Sequence, residues 1–268
     1  MRLKELGATG VKLPEVSLGT WKYRAGPEPL RYGIGLGANF IDTAEIYRTE
    51  NIVGEALTGI RDKVFLATKV SGDHLRYDDV LAAADRSLKL LKTNRIDLYQ
   101  IHWPNPDVPI RETMRAMEEL VDSGKVKYIG VSNFDVHEME EAQSCLKKNK
   151  IASNQVIYNL SEREIEREVI PYCERHKITI LAYSPLAQGE LANPANLGSR
   201  DKTEAFKKVS DATGRTAAQI ALNWCLTKPI VMAIVKAANE NHVKDDCEVS
   251  DWRLSPEHVE LLNKAFKP

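Results

Sequence analysis

An aspartate, a tyrosine, a lysine and a histidine, Asp42, Tyr47, Lys69 and His102, each end a short apolar run or closely follow one. Gathered at one point they could move a proton. A free phenol, with a pKa of roughly 10, is a poor acid at neutral pH. An ammonium group at about 4 Å, in surroundings of effective dielectric about 20, stabilises the phenolate by roughly 4 kcal/mol, or about three pKa units. Lys69 is therefore expected to lower the pKa of Tyr47 toward neutrality, with Asp42 keeping Lys69 charged against desolvation and His102 orienting a substrate oxygen. Lys69 could alternatively form a Schiff base with a carbonyl substrate, as in a lysine-dependent aldolase.

The elements that would have to position these groups can be read from hydrophobic periodicity. Eight short apolar runs predict strands: Val16 to Leu18, Phe40 to Asp42, Val64 to Lys69, Ile96 to His102, Tyr128 to Ser132, Ser153 to Tyr158, Thr179 to Tyr183 and Ile230 to Lys236. Between them, Tyr77 to Leu91, Ile110 to Val121, His137 to Leu146, Ile165 to His176 and Thr216 to Leu226 carry apolar residues three and four apart and predict helices. A glycine-rich first crossover helix falls within Pro29 to Leu36, and a last helix spans Pro256 to Phe266. Leu3 to Leu6 and Val11 to Val16, flanking Gly7-Ala8-Thr9-Gly10, predict an opening β-hairpin. Repeated strand–helix units over 268 residues imply parallel strands and a (β/α)8 TIM barrel with an N-terminal β-hairpin, one domain over residues 1–268.

In such a barrel the reacting groups gather where the strands end, because the strand-to-helix loops share one cavity there. The runs end on Gly19-Thr20-Trp21, Asp42, Lys69, His102, Ser132-Asn133, Tyr183-Ser184 and Lys236, with Gln155 just inside its strand and the stretch Gln188 to Ser199 expected to form a loop over the site. Singly, each has a structural explanation: Asp42-Thr43 as a helix cap, Lys69 at the rim, His102 and Tyr183 as packing. Their joint arrival is the mark of acid–base chemistry. The glycines Gly33, Gly35 and Gly37 are not a dinucleotide fingerprint, since they are spaced G-x-G-x-G and precede a strand instead of following one.

Composition narrows the partners. Lys plus Arg number 37 against 38 Asp plus Glu, with no basic excess to draw the chain to nucleic acid or an anionic membrane. No apolar stretch is long enough for a membrane span, and the start lacks the apolar core of an export signal. Cys145, Cys173, Cys225 and Cys247 lack C-x-x-C spacing and are expected to be reduced thiols in a cytoplasmic protein. The six histidines show no metal-ligand spacing, so no metal is expected. The expected partner is a small molecule, and the expected state a monomer or weak oligomer.

The ordered segments Leu18-Gly19-Thr20-Trp21, Phe40 to Tyr47, Ala67-Thr68-Lys69-Val70, Ile101-His102-Trp103-Pro104, Gly130 to Phe134, Asn154-Gln155-Val156 and Ala182 to Leu186 resemble the aldo-keto reductase family, over nearly the whole chain. The resemblance implies a reductase that converts an aldehyde or ketone into an alcohol with NADPH (NADP+ when oxidised), NADH being a second candidate. It makes Tyr47 the general acid, with Lys69, Asp42 and His102 in the roles already derived. It places the cofactor against Gly19, Thr20, Trp21 and Asp42, its carboxamide on Ser132, Asn133 and Gln155, and its nicotinamide ring on Tyr183. Ser184, Leu186 and Gln188 would line the pyrophosphate, and Val235, Lys236, Ala237, Ala238, His242 and Asp246 the adenosine end. There the chain departs from the family: the usual proline before the lysine, serine after it and arginine six positions beyond are Val235, Ala237 and His242, and Asp246 stands where asparagine is common. Lys236 is left as the certain cation for a 2′-phosphate. Trp21, Tyr47, His102 and Trp103 would face the substrate, in a pocket expected to be open because the long C-terminal loop of many relatives is lacking. A different class on the same scaffold, a nicotinamide-binding regulatory module that senses cofactor without useful turnover, is the remaining alternative.

Overall fold

The expected runs pair side by side in the computed structural model, which describes residues 1–267. After the hairpin strands β1 (Leu3–Glu5) and β2 (Lys12–Pro14) come β3 (Val16–Gly19), β4 (Phe40–Asp42), β5 (Phe65–Val70), β6 (Ile96–Ile101), β7 (Val126–Ser132), β8 (Ile151–Ile157), β9 (Thr179–Tyr183) and β10 (Val231–Val235). Strands β3 to β10 form a closed barrel in which every pairing is parallel, and β10 closes the ring against both β9 and β3. Parallel strands covered on both faces need continuous burial. β6 and β10 are buried along their full length.

The helices are α1 (Glu28–Gly35), α2 (Glu50–Ala56), α3 (Tyr77–Leu90), α4 (Ile110–Asp122), α5 (Val136–Cys145), α6 (Val169–His176), α7 (Arg200–Thr213), α8 (Ala217–Cys225), α9 (Glu240–Glu248) and α10 (Pro256–Ala265). Three were not read from periodicity, for identifiable reasons. α2 is short and contains Gly54, while α7 and α9 carry too few apolar residues to show a period: Ala205, Phe206, Val209 and Ala212 in one, Val243 and Cys247 in the other. The helix expected from Ile165 starts instead at Val169, after a separate 3-10 turn at Glu164–Glu166. Pro171 explains the difference: in a helix begun at Ile165 its ring would meet the carbonyl of Arg167, whereas as the third residue of α6 it lacks only an N–H that has no partner anyway. The stretch after β9 likewise contains 3-10 turns at Ala187–Ala192 and Pro194–Asn196 where a plain loop was expected. Val16 belongs to the barrel and not to the hairpin.

The hairpin determines which end of the barrel is open. Leu6 and Leu13 enter the barrel interior against Phe40, Ala67, Leu98, Ala152, Leu181, Met232 and Ile234. Lys4 Nζ donates to the carbonyls of Leu226, Lys228 and Val231 at 2.8, 2.9 and 2.7 Å. Gly7 has φ +54 and donates its N–H to Thr179 Oγ1 at 2.7 Å, and a Cβ there would lie 2.8 Å from the Ala152 carbonyl oxygen, so the turn requires glycine. With this end plugged, side chains at the carboxyl ends of the strands are left to form a site.

Candidate active site

Asp42 is the last residue of β4 and Lys69 lies near the end of the adjacent β5, in parallel strands whose register places Asp42 opposite Ala67. Side chains alternate along a strand, so Lys69 points the same way as Ala67, into the barrel. There its ammonium is completely buried and donates to Asp42 Oδ2 at 2.6 Å and to the Thr43 carbonyl at 2.9 Å. Burial alone would drive a lysine toward its neutral form, but the fields of Asp42 and Tyr47 and their hydrogen bonds outweigh it and hold the Lys69 pKa above its ordinary value. Asp42 Oδ1 accepts from Gln155 Nε2 at 2.8 Å and from Gln100 Nε2 at 3.3 Å. The buried pair is therefore hydrogen-bonded on several sides, the condition under which burying two charges is tolerable.

Tyr47 rides on a 3-10 turn, Glu45–Tyr47, that directly follows β4. Its hydroxyl lies 3.5 Å from Lys69 Nζ and 3.4 Å from His102 Nε2, and its ring meets the His102 ring edge to face at 5.4 Å. His102 stands one residue beyond the end of β6, held by its N–H to the Val70 carbonyl at 3.0 Å. The four residues named from sequence thus converge on one point. The expectation that Lys69 brings Tyr47 near neutrality is not met: the phenol pKa lies above its ordinary value. Burial is the largest cause, and the lowering effect of Lys69 is countered by the opposing charge of Asp42 beside it. Treating the lysine as an isolated cation omitted both effects. His102 moves the other way, pushed down to about 3 by burial and by Lys69, so its imidazole is neutral at physiological pH.

A second polar group occupies the ends of β7, β8 and β9. Asn133, with φ 62, donates from Nδ2 to the His102 carbonyl at 3.0 Å and to Ser132 Oγ at 3.1 Å, and its Oδ1 accepts from the Tyr183 hydroxyl at 3.0 Å. Ser132 Oγ donates to the Gln155 carbonyl at 2.8 Å. Ser132, Asn133, Gln155 and Tyr183 are thus joined to Asp42 and His102 in one network. Past β9 the chain turns sharply, with Ser184, Ala187 and Gln188 all in the left-handed region. Leu186 is half-buried there and Gln188 exposed. Gly19 ends the neighbouring β3 and Thr20 follows it, completely buried, its hydroxyl donating to the Asp42 carbonyl at 3.3 Å. A Cβ on Gly19 would come 2.7 Å from Ile234 Cγ2, so only glycine allows β3 and β10 this approach.

At the end of β10, Val235 and Ala237 are buried while Lys236 and Ala238 are exposed. His242 is exposed on α9, its backbone N–H capped by Asn239 Oδ1 at 2.9 Å. Asp246 faces inward on the same helix, and burial, reinforced by Asp245, raises its carboxyl to about 7. Trp21 and Trp103 are 41% and 51% exposed, two large apolar faces on the loops after β3 and β6.

Sequence reading missed Gln100, the second amide on Asp42. The signal was present: Gln100 lies two residues before His102, and residues two apart share a face of a strand. Gly130 was named only as part of a matching segment and given no role, though a Cβ there would meet Ser153 Oγ at 2.6 Å and Gln100 Cγ at 2.9 Å. That clearance depends on the neighbouring strands and has no signature in sequence. Among the described residues no group of three or more His, Cys, Asp or Glu could hold a metal ion, and no helix is long and apolar enough to cross a membrane.

A parallel eight-stranded barrel with a buried lysine–carboxylate pair, a tyrosine and a neutral histidine at the carboxyl ends of its strands defines a class of barrel enzyme built for proton transfer. The particular family follows from comparison. The chain belongs to the aldo/keto reductase family, whose model matches residues 16–267, and is an oxidoreductase of that family. It is 39% identical over 267 residues to methylglyoxal reductase YeaE of Escherichia coli (strain K12), covering 96% of this chain and 92% of that protein. It is 34% identical over 266 residues to a glyoxal reductase of Bacillus subtilis (strain 168), covering 96% and 91%. Among solved structures, an aldo-keto reductase from Klebsiella pneumoniae in complex with NADPH superposes with a TM-score of 0.91 at 35% identity, covering 100% of this chain and 96% of that one.

Proposed function

We propose that the protein reduces small aldehydes and ketones to alcohols with NADPH, with Tyr47 as the proton donor. The observation that carries this reading is the convergence on the Tyr47 hydroxyl of a fully buried, charged Lys69 and a neutral His102. Bound NADPH would supply a hydride to the carbonyl carbon. The residues present suit that group: Ser132, Asn133 and Gln155 offer the donors and acceptors that a carboxamide needs, and Tyr183 offers a half-buried aromatic plane. Gly19, Thr20, Trp21, Ser184, Leu186 and Gln188 would line its middle, and Val235 to Ala238, with His242 and Asp246, its far end. Lys236 favours a 2′-phosphate, and with so few other cations NADH is expected to serve as well. The Klebsiella pneumoniae structure in complex with NADPH supports the choice.

The chain's own groups then have distinct tasks. A carbonyl oxygen seated between Tyr47 and His102 gathers negative charge as it becomes an alkoxide, a much stronger base than a phenolate. Tyr47 with its raised pKa is fully protonated at neutral pH and still gives up its proton downhill to that oxygen. Lys69 stabilises the phenolate left behind, and Asp42 keeps Lys69 charged. His102 Nδ1 is buried without a hydrogen-bond partner among the described residues. A buried unpaired N–H is the costlier orphan, which favours the proton on Nε2, the atom facing Tyr47 and the oxygen to be oriented. Lys69 as a Schiff-base nucleophile would need a neutral, accessible amine, and its amine is neither.

Trp21 and Trp103 would flank the entering substrate. The similarity to a methylglyoxal reductase and a glyoxal reductase favours small, reactive dicarbonyl compounds. The near balance of charge supports action on small molecules and not nucleic acid, the free cysteines support a cytoplasmic setting, and the single closed barrel supports one domain over residues 1–268, with a monomer or weak oligomer as the expected state. The test follows reduced-nicotinamide absorbance with methylglyoxal or an aromatic aldehyde, using NADPH and NADH in parallel, for the wild type and Tyr47→Phe. Loss of a proton donor should cost about 10²- to 10⁴-fold in kcat with cofactor binding retained. Cofactor binding without turnover in the wild type would instead favour a regulatory module.

A further inference from the structure

The turn that carries Tyr47 has little to hold it. Glu45 and Tyr47 are only partly buried and Ile46 is exposed, Arg48 beyond them is left-handed at φ 57, and within the turn the backbone contributes the bonds from Tyr47 N to Ala44 O at 3.0 Å and from Arg48 N to Glu45 O at 3.4 Å. On the carboxyl side, Thr49 Oγ1 ties the chain to Thr20 Oγ1 at 2.9 Å and lies 3.1 Å from Thr43 Oγ1. On the amino side Thr43 is held by its N–H to the Ala67 carbonyl at 3.0 Å and by its carbonyl to Lys69 Nζ at 2.9 Å, and within the turn itself the side-chain tie is Glu45. Its Oε2 accepts from the Ser71 backbone N–H at 3.0 Å, just past β5, and its Oε1 meets Arg86 of α3 and His74 Nδ1, each at 2.9 Å. One carboxylate thus joins the Tyr47 turn to the strand that bears Lys69 and to the helix behind it.

We propose that Glu45 is a positioning residue for catalysis, held by Ser71, His74 and Arg86, and that this clamp sets the placement of the Tyr47 hydroxyl between Lys69 and His102. The inference rests on the proposal that Tyr47 donates the proton. Glu45 touches none of the four central side chains by hydrogen bond, so its effect must pass through the turn. The carboxylate is held below its ordinary range although burial acts the other way, because the bonds from Arg86, Ser71 and His74 outweigh burial, so the clamp stays charged at neutral pH. Displacing a reacting group by about 1 Å costs up to about 10²-fold in rate. A clamp joining the Tyr47 turn to the end of β5 and to α3 controls displacements of that size.

The experiment compares Glu45→Gln and Arg86→Ala with the wild type and Tyr47→Phe in the intact protein. Arg86 is half exposed, so its removal leaves a folded protein even if Glu45→Gln folds poorly. The clamp predicts that kcat falls about 10-fold in both variants while the aldehyde KM and the NADPH dissociation constant, read by fluorescence quenching, stay within about two-fold. It also predicts a larger isotope effect on kcat with deuterated NADPH, because the chemical step becomes slower relative to release, and recovery of most activity in Arg86→Lys. Unchanged kcat in both variants alongside an inactive Tyr47→Phe would overturn the clamp alone. A matched loss of kcat and cofactor binding with no rise in the isotope effect would reduce it to general structural support and overturn it too. A fully active Tyr47→Phe would remove the proton-donor assignment, and the clamp with it.

Discussion

The neutral His102 should make the fold sensitive to acid in a calculable way. Its folded pKa is pushed down to about 3, while in the unfolded chain it returns to about 6.5. Between those values the unfolded state binds the proton and the folded state does not, so the stability present above about pH 6.5 is lost as pH falls toward about 3. From about pH 7.5 to about pH 5 the loss attributable to this one group is about 2 kcal/mol. The figure depends almost entirely on the unfolded value, since pH 5 lies well above the folded one. For a chain of this size it corresponds to a Tm decrease of roughly 4 to 8 °C. Carboxylates titrate in the same window, so the measurement is a difference: thermal unfolding of wild type and His102→Gln across pH 5 to 7.5, with the wild type expected to lose the additional stability. Parallel profiles would refute the reasoning, because they would mean that folded His102 takes up a proton as readily as a free imidazole.

Lys69→Met should destabilise the protein by about 3 to 5 kcal/mol, since it leaves Asp42 charged and buried with only amide partners. Adding Asp42→Leu should restore most of that stability in urea titrations while leaving the enzyme inactive, which separates the pair's structural cost from its catalytic use. Asp246 has the opposite linkage to His102. Its raised carboxyl contributes stability that is full below about pH 4 and is lost as pH rises through about 7, so Asp246→Asn should be more stable by as much as about 4 kcal/mol at pH 8 and indistinguishable at pH 4. The same variant should bind NADPH more tightly relative to NADH, because a negative charge is removed from the proposed 2′-phosphate end; equal tightening for both cofactors in fluorescence titrations would place Asp246 away from that phosphate.

Much of this molecule could be read from its sequence because the physics involved is local. Short continuous apolar runs suit parallel strands covered on both faces and a 3.6-residue apolar period suits a helix with one buried face, so the eight strands of the barrel and its more amphipathic helices could be read from them. Asp42, Lys69, Gln155 and Tyr183 were found because strand ends share one cavity in a barrel, a rule of topology that needs no coordinates. Only the tertiary structure decided the electrostatics. The direction of the Tyr47 shift depends on how far burial and Asp42 offset Lys69, and that is a matter of depth and distance. The same holds for Gln100 beneath Gly130, for Pro171 deciding where α6 begins, and for Glu45 reaching Ser71, His74 and Arg86 across 26 to 41 positions of chain. Residue type and spacing specify which groups can react, whereas the packing of distant segments sets their solvation and mutual distances, and with them the energies.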